Sequence, residues 1–111
     1  MMKCICILGI IALTIVACSK ELVTPVCDGS KPVYNTDIKS IIDATCLSVG
    51  CHNTNSKNGD WTTYNKLKPV LDNGSFKNRI ITKQDMPKGG SLSQSEINLM
   101  QCWIDNGYTE N

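Results

Sequence analysis

Apolar residues recur at helical spacing in three stretches of this chain. Ile38, Ile41, Ile42 and Thr45 share one face, with Thr36 placed as an N-cap and Asp37 in the first turn, where the helix dipole favours an acid. Trp61, Tyr64, Leu67 and Leu71 follow at spacings near three and four. They predict a second helix from Trp61 to about Lys68, capped by Asp60 and interrupted at Pro69, because proline removes a backbone donor. The third signal is the clearest. Ser93-Gln94-Ser95-Glu96 is a capping box, and it opens a helix from Gln94 to about Asn106 that Gly107 closes. Its inward face is Ile97, Met100 and Ile104, with Cys102 or Trp103 one strip over. Between these helices residues 53–60 form a polar loop, and Phe76 to Thr82 reads as either extended or helical. Gly74 ends the second helical stretch, and the proline and two glycines between Asp85 and Gly90 exclude regular structure there. The pattern predicts a small all-α domain.

The first residues follow a different logic. Lys3 precedes an apolar run from Ile5 to Ala17, which is the form of a secretory signal and too short to span a bilayer. The run ends Ile15-Val16-Ala17-Cys18, which resembles a bacterial lipobox. That resemblance implies cleavage before Cys18 and a lipid on its sulfur; an ordinary signal peptide with a chance cysteine is the alternative. Residues 1–17 are thus expected to be a lipoprotein signal peptide and 18–33 a lipidated tether, rich in proline, glycine and serine. The domain then occupies 34–111.

Loss of the leader changes the composition. The remaining 94 residues are about one-third apolar, thin for a globular domain and modest in the surface they can bury. A large apolar cofactor would help fill such a core. With Lys3 gone, 10 basic residues face 10 acidic ones, so nothing points to a nucleic-acid partner.

The candidate chemistry lies where the first helix ends, at Cys46-Leu47-Ser48-Val49-Gly50-Cys51-His52. His52 is the only histidine of the chain. C-x-x-C-H is the attachment signature of a c-type haem, in which both thiols form thioethers to the haem vinyl groups and the histidine ligates iron. Here four residues separate the cysteines, and Gly50 tolerates the backbone angles an outward loop needs. A second axial ligand is expected from methionine. Met86, on the polar loop Met86-Pro87-Lys88-Gly89-Gly90, is the candidate, and Met100, on an inner helix face, reads as core.

Cys4 and Cys6 would leave with the leader, and Cys18 is the proposed lipid site. Cys27 and Cys102 then remain, 75 positions apart. In an exported protein a disulfide between them is the simple pairing; a free buried thiol at either is the alternative.

The order of these features resembles the small c-type cytochrome domains of bacterial lipoproteins, related to class I cytochrome c. The resemblance rests on a helix, C-x4-C-H, a Trp/Tyr helix with Lys68-Pro69, Arg79-Ile80, Met86-Pro87-x-Gly89-Gly90-x-Leu92-Ser93, and a helix ending Trp103-Ile104-x-x-Gly107. It covers Thr36 to Tyr108, and it implies one covalently attached haem c on Cys46 and Cys51, His52 as proximal ligand and Met86 as distal ligand. It also implies first and last helices packed across each other, Ile38 and Ile41 against Ile97, Met100 and Ile104. The function so implied is electron transfer without enzymatic turnover. Its partners would be a redox protein and the membrane, reached through the lipid anchor. Its place would be the envelope of a Gram-negative-type bacterium, facing the periplasm or the cell surface. Arg79 and Trp61 could contact haem propionates, or be a surface arginine and a core-edge tryptophan. Lys66, Lys68, Lys77, Lys83 and Lys88 could ring an exposed haem edge, or be ordinary solvated charges.

Other readings of the motif stand beside this one. Zinc would take Cys46, Cys51 and His52 with Cys27 or Cys102, although adjacent Cys and His are awkward ligands for one tetrahedral ion. A Cys46–Cys51 disulfide with an incidental His52 gives a stapled structural or binding lipoprotein without haem. Nucleophilic Cys/His catalysis lacks an acid to orient His52. A gas-sensing haem would need a displaceable Met86.

Overall fold

A computed structural model describes residues 2–6 and 16–111, with side chains from 18 onward. The apolar run of the expected signal peptide falls chiefly on residues 7–15, outside the described residues. On either side of it, strand β1 (Met2–Cys6) pairs antiparallel with β2 (Val16–Lys20), setting Cys4 opposite Cys18. Among the described residues this is the only sheet. From Tyr34 onward all regular structure is helical.

The first helix starts earlier than its pattern suggests. A π-helical turn, Tyr34–Ile38, runs directly into α1, Lys39–Thr45. Thr36 is therefore inside the helix and is not its cap. Val33 holds the cap position, and its N–H donates to the Asp37 carboxylate at 2.8 Å, which satisfies a backbone donor the helix itself cannot. Ile38 and Ile42 are fully buried, while Ile41 stays at the core's edge.

The second helix starts later. α2 spans Tyr64–Asp72 and is capped by Thr63, whose hydroxyl accepts from the Lys66 N–H at 3.4 Å. Pro69 sits inside it without interrupting it. The ring costs one backbone bond, but Leu67 and Leu71 on either side are both buried and hold the turn in the core. Gly74, at φ 79°, lets the chain reverse into α3 (Ser75–Lys77) and a second π-helical turn, Asn78–Thr82. The ambiguous segment is thus helical and buries Phe76, Ile80 and Ile81.

α4 spans Gln94–Asp105 and has both bonds of the capping box: Ser93 N–H to Glu96 at 2.8 Å, and Glu96 N–H to the Ser93 hydroxyl at 3.2 Å. Ile97, Met100, Cys102 and Trp103 are buried, so both candidates for the adjoining strip face inward; Ile104 is only half-buried. α4 packs against the two π-helical turns. Trp103 is the hub of the core, 6.1 Å from the Tyr34 ring and 6.0 Å from Phe76, and its indole N–H donates to the Thr109 carbonyl at 3.0 Å.

Of residues 18–33, expected as a tether, those up to Lys20 belong to β2, and the rest lie along the domain without helix or strand. Backbone groups of this stretch take partners from the domain's side chains. Val23 pairs with Gln84, Val26 N–H donates to Asn98 at 2.9 Å, Gln94 donates to the Thr24 carbonyl at 2.8 Å, and Asn106 donates to Ser30 at 3.0 Å. A Cys27–Cys102 disulfide fastens this strap to α4, with Cα atoms 4.8 Å apart.

Candidate cofactor site

Cys46 caps the C-terminus of α1, and its N–H still donates to Ile42 at 2.8 Å. The chain then loops outward. Gly50 takes φ 81°, Val49 at the tip is 94% exposed, and the His52 N–H returns to the Cys46 carbonyl at 3.0 Å. The residues that lengthen the motif are thus carried on the outside of a closed loop, and both cysteines and the histidine keep one neighbourhood.

That neighbourhood is a cavity of about 450 Å³. Cys46, Cys51, His52, Trp61, Arg79 and Met86, the six residues singled out from the sequence, all line it. Val70, Phe76 and Ile80 supply apolar wall, and Lys88 stands at it as well. Met100 is 1% exposed in the core and is not part of the wall.

The two thiols differ. Cys46 is buried and Cys51 exposed, and they are not joined. Burial pushes the Cys46 thiol up; the Thr45 hydroxyl, 3.4 Å away, works against this, and Cys51 adds to the rise. The Cys46–Cys51 bond that the stapled-motif reading supposes is not formed in this loop. Zinc loses its fourth ligand, since Cys27 and Cys102 are bonded to each other.

His52 is fixed by two contacts that the sequence did not reveal. Its Nδ1 lies 3.1 Å from the Gly59 carbonyl. A carbonyl only accepts, so Nδ1 carries a proton, and in the neutral ring the lone pair is then on Nε2. The ring also stacks on Trp61, centroids 3.5 Å apart and planes within 6°. Gly59 is at φ 99°, and a Cβ there would come within 3.3 Å of Trp61 Nε1, so glycine permits the close approach. The Trp61 backbone N–H donates to the His52 carbonyl at 2.9 Å, closing the 52–61 loop.

Asp60 is this loop's anchor and not the cap of α2. It accepts from Lys66 Nζ at 2.8 Å, from the Thr62 hydroxyl at 2.6 Å and from the Asn55 N–H at 3.1 Å. Lys66, followed by Thr62, holds its carboxyl far below the usual range. The Asn58-Gly59-Asp60 turn signal marks this bend in the sequence, but nothing there pairs it with His52.

Arg79 donates through Nε to Asp85 at 2.6 Å, beside Met86, and holds the Asp85 carboxyl down. Of the five lysines considered for a ring, Lys88 alone lines the cavity; Lys66 and Lys68 pair with Asp60 and Asp72. Among the described residues no helix is long and apolar enough to cross a membrane. Comparison with protein-family models, with curated proteins and with solved structures finds no match to this chain.

Proposed function

We propose that the protein is a monohaem c-type cytochrome held to a membrane by a lipid on Cys18, and that it carries single electrons to or from a redox partner protein. One observation carries the reading: two thiols, an imidazole and a thioether, far apart in sequence at 46–52 and 86, line one cavity of about 450 Å³. That volume lies within the roughly 300–1,000 Å³ of cofactor and ligand pockets. The donors suit the group. Imidazole and thioether are an axial pair for haem iron, and the thioether raises the potential. When bound, haem supplies a one-electron couple whose ligands need not change.

The chain's own residues have separable roles in this reading. Cys46 and Cys51 hold the group covalently. His52 presents Nε2 to the cavity, with its other ring nitrogen held by the Gly59 carbonyl and the ring kept in place by Trp61. Met86 supplies sulfur from the opposite part of the chain. Val70, Phe76 and Ile80 would face the group with apolar surface, which helps to set the potential. Arg79 and Trp61 are the candidates for propionate contacts.

The alternative is a disulfide-stapled structural or binding lipoprotein without haem. The Cys27–Cys102 bond favours it, since a staple is what such a protein would need. A reduced-minus-oxidised visible spectrum after denaturing extraction separates the two. Protein exported from a host with cytochrome c maturation should retain haem when unfolded, and Cys46→Ala and Cys51→Ala should each weaken that retention. Colourless protein would leave the stapled lipoprotein.

A further inference from the structure

Apart from aromatic and cysteine side chains, Gln84 is the only polar or charged residue buried among the described residues, at 6% exposure. It sits two positions before Met86 in a left-handed conformation, φ 49°. Such a conformation is uncommon outside glycine, asparagine and aspartate, and the surroundings must hold it. They do so through the strap. The Val23 N–H donates to Gln84 Oε1 at 3.0 Å, and Gln84 Nε2 donates back to the Val23 carbonyl at 2.7 Å, with a further bond to Ile81 at 3.2 Å. Lys20 Nζ bonds the Gln84 carbonyl. The amide therefore stands in for a backbone pair, as if the strap and the methionine loop were two strands.

Met86 lies between these elements and the cofactor cavity. It lines the large cavity on one side and, on the other, a hollow of about 30 Å³ shared with Val23, Gln84 and Leu92. The next residue after Gln84, Asp85, donates its N–H to the Arg79 carbonyl at 3.1 Å. Three residues beyond Val23, Val26 is bonded to α4, and Cys27 is bonded covalently to it.

We propose that Gln84 is the positioning residue for Met86. It ties the methionine loop to the Val23 strap, the Cys27–Cys102 bond holds the strap, and together they set how readily Met86 leaves the cavity. This rests on the cytochrome reading of Met86 as axial ligand. It would make the segment nearest the lipid anchor a support of Met86, so a change in the strap would reach that ligand through one side chain.

The test uses the exported full chain with Gln84→Met, which keeps the side chain's length and loses both Val23 bonds. Imidazole is the probe, since it competes with Met86 for the distal position. A loop that opens more often binds imidazole more tightly in proportion, and losing two buried amide bonds should raise its affinity about tenfold or more. Gln84→Glu, which keeps only the acceptor for Val23, should fall between. Cys27→Ser with Cys102→Ser should move affinity the same way. Ile38→Val, a core change lining neither cavity, should leave it alone. Hydrogen exchange at the Asp85 amide should quicken by a similar factor in Gln84→Met, with or without haem. Parent-like imidazole binding and exchange in a haem-loaded Gln84→Met protein would overturn the role of Gln84 alone. So would an equal effect from Ile38→Val. A parent protein that retains no haem would overturn the cytochrome reading and the ligand role with it, and the exchange data would then bear only on the loop.

Discussion

The imidazole of His52 lies flat on the indole of Trp61, with ring centroids 3.5 Å apart and planes 6° from parallel. Trp61 in turn leans on Phe76 at 5.7 Å, and Phe76 meets Trp103 edge-on at 6.0 Å. The one candidate proximal ligand is therefore backed by the aromatic core and not by a mobile surface loop. Trp61→Ala should destabilise the fold by about 3–5 kcal/mol, the usual cost of deleting a buried large aromatic ring. Trp61→Phe keeps an apolar wall and should cost nearer about 1 kcal/mol, with most of the stacking retained. Urea denaturation of both variants checks this; an unshifted midpoint for Trp61→Ala would show that the stack carries no weight.

Acid should loosen the same loop. The Asp60 carboxyl is depressed from its ordinary value of 3.8, chiefly by Lys66 and then by the Thr62 hydroxyl and N–H. A carboxyl held lower in the folded than in the unfolded chain stabilises fully above its ordinary value, and that contribution drains away as pH falls below it. The stability of the parent should hold from neutral to about pH 5 and decline from about pH 4 downward. Asp72 and Asp85 are depressed too, by Lys68 and Arg79, and add to the decline. Asp60→Asn should be less stable than the parent at neutral pH and converge on it in acid. Thermal midpoints across that range decide the matter, and parallel curves for the two proteins would remove Asp60 as an anchor.

In protein prepared without haem, the motif's cysteines should react unequally. Cys51 is exposed, whereas Cys46 is 5% exposed and its thiol is raised by burial. Since the thiolate is the nucleophile, iodoacetamide near pH 8 should label Cys51 first, by roughly tenfold or more. Peptide mapping after a short pulse reads the ratio. Equal labelling would mean that Cys46 does not stay in the core.

How much of this was legible beforehand varies by element. The third helix could be read to within a residue, because Ser93, Glu96 and Gly107 make its ends a local matter. The start of the second could not. Trp61 fits the apolar period of α2 but belongs to the loop, where its ring is claimed by His52 and its N–H by the His52 carbonyl. Thr36 failed as a cap for a similar reason: Asp37 reaches back to Val33 and moves the start upstream. The site's donors were readable as residue types, and the cavity collects all six candidates. Their supports were not. Gly59 under His52 and Gln84 beside Met86 act through contacts that depend on how the chain folds back, and a single sequence has no local mark for such pairings. The strap shows the same limit, since proline, glycine and serine describe a segment without secondary structure and say nothing of the domain side chains it meets.

The strap's covalent link offers the largest single test of stability. Cys27 and Cys102 are 75 residues apart, so their bond restricts most of the unfolded domain. On the chain-entropy account a loop of that length is worth about 4 kcal/mol. That is a large share of the roughly 5–15 kcal/mol by which domains are stable at all. Cys27→Ser with Cys102→Ser should lower stability by that order, with the urea slope steepened as the unfolded chain expands. The double variant should keep its helices, because the Ser93–Glu96 capping box and the Trp103 packing are independent of the bond. Circular dichroism and urea titration on parent and variant, each with and without reductant, make the comparison. Reductant should bring the parent to the variant's midpoint and leave the variant unmoved. A double variant as stable as the oxidised parent would mean that the bonds from Asn98, Gln94 and Asn106 hold the strap unaided, and that the disulfide adds nothing to the fold.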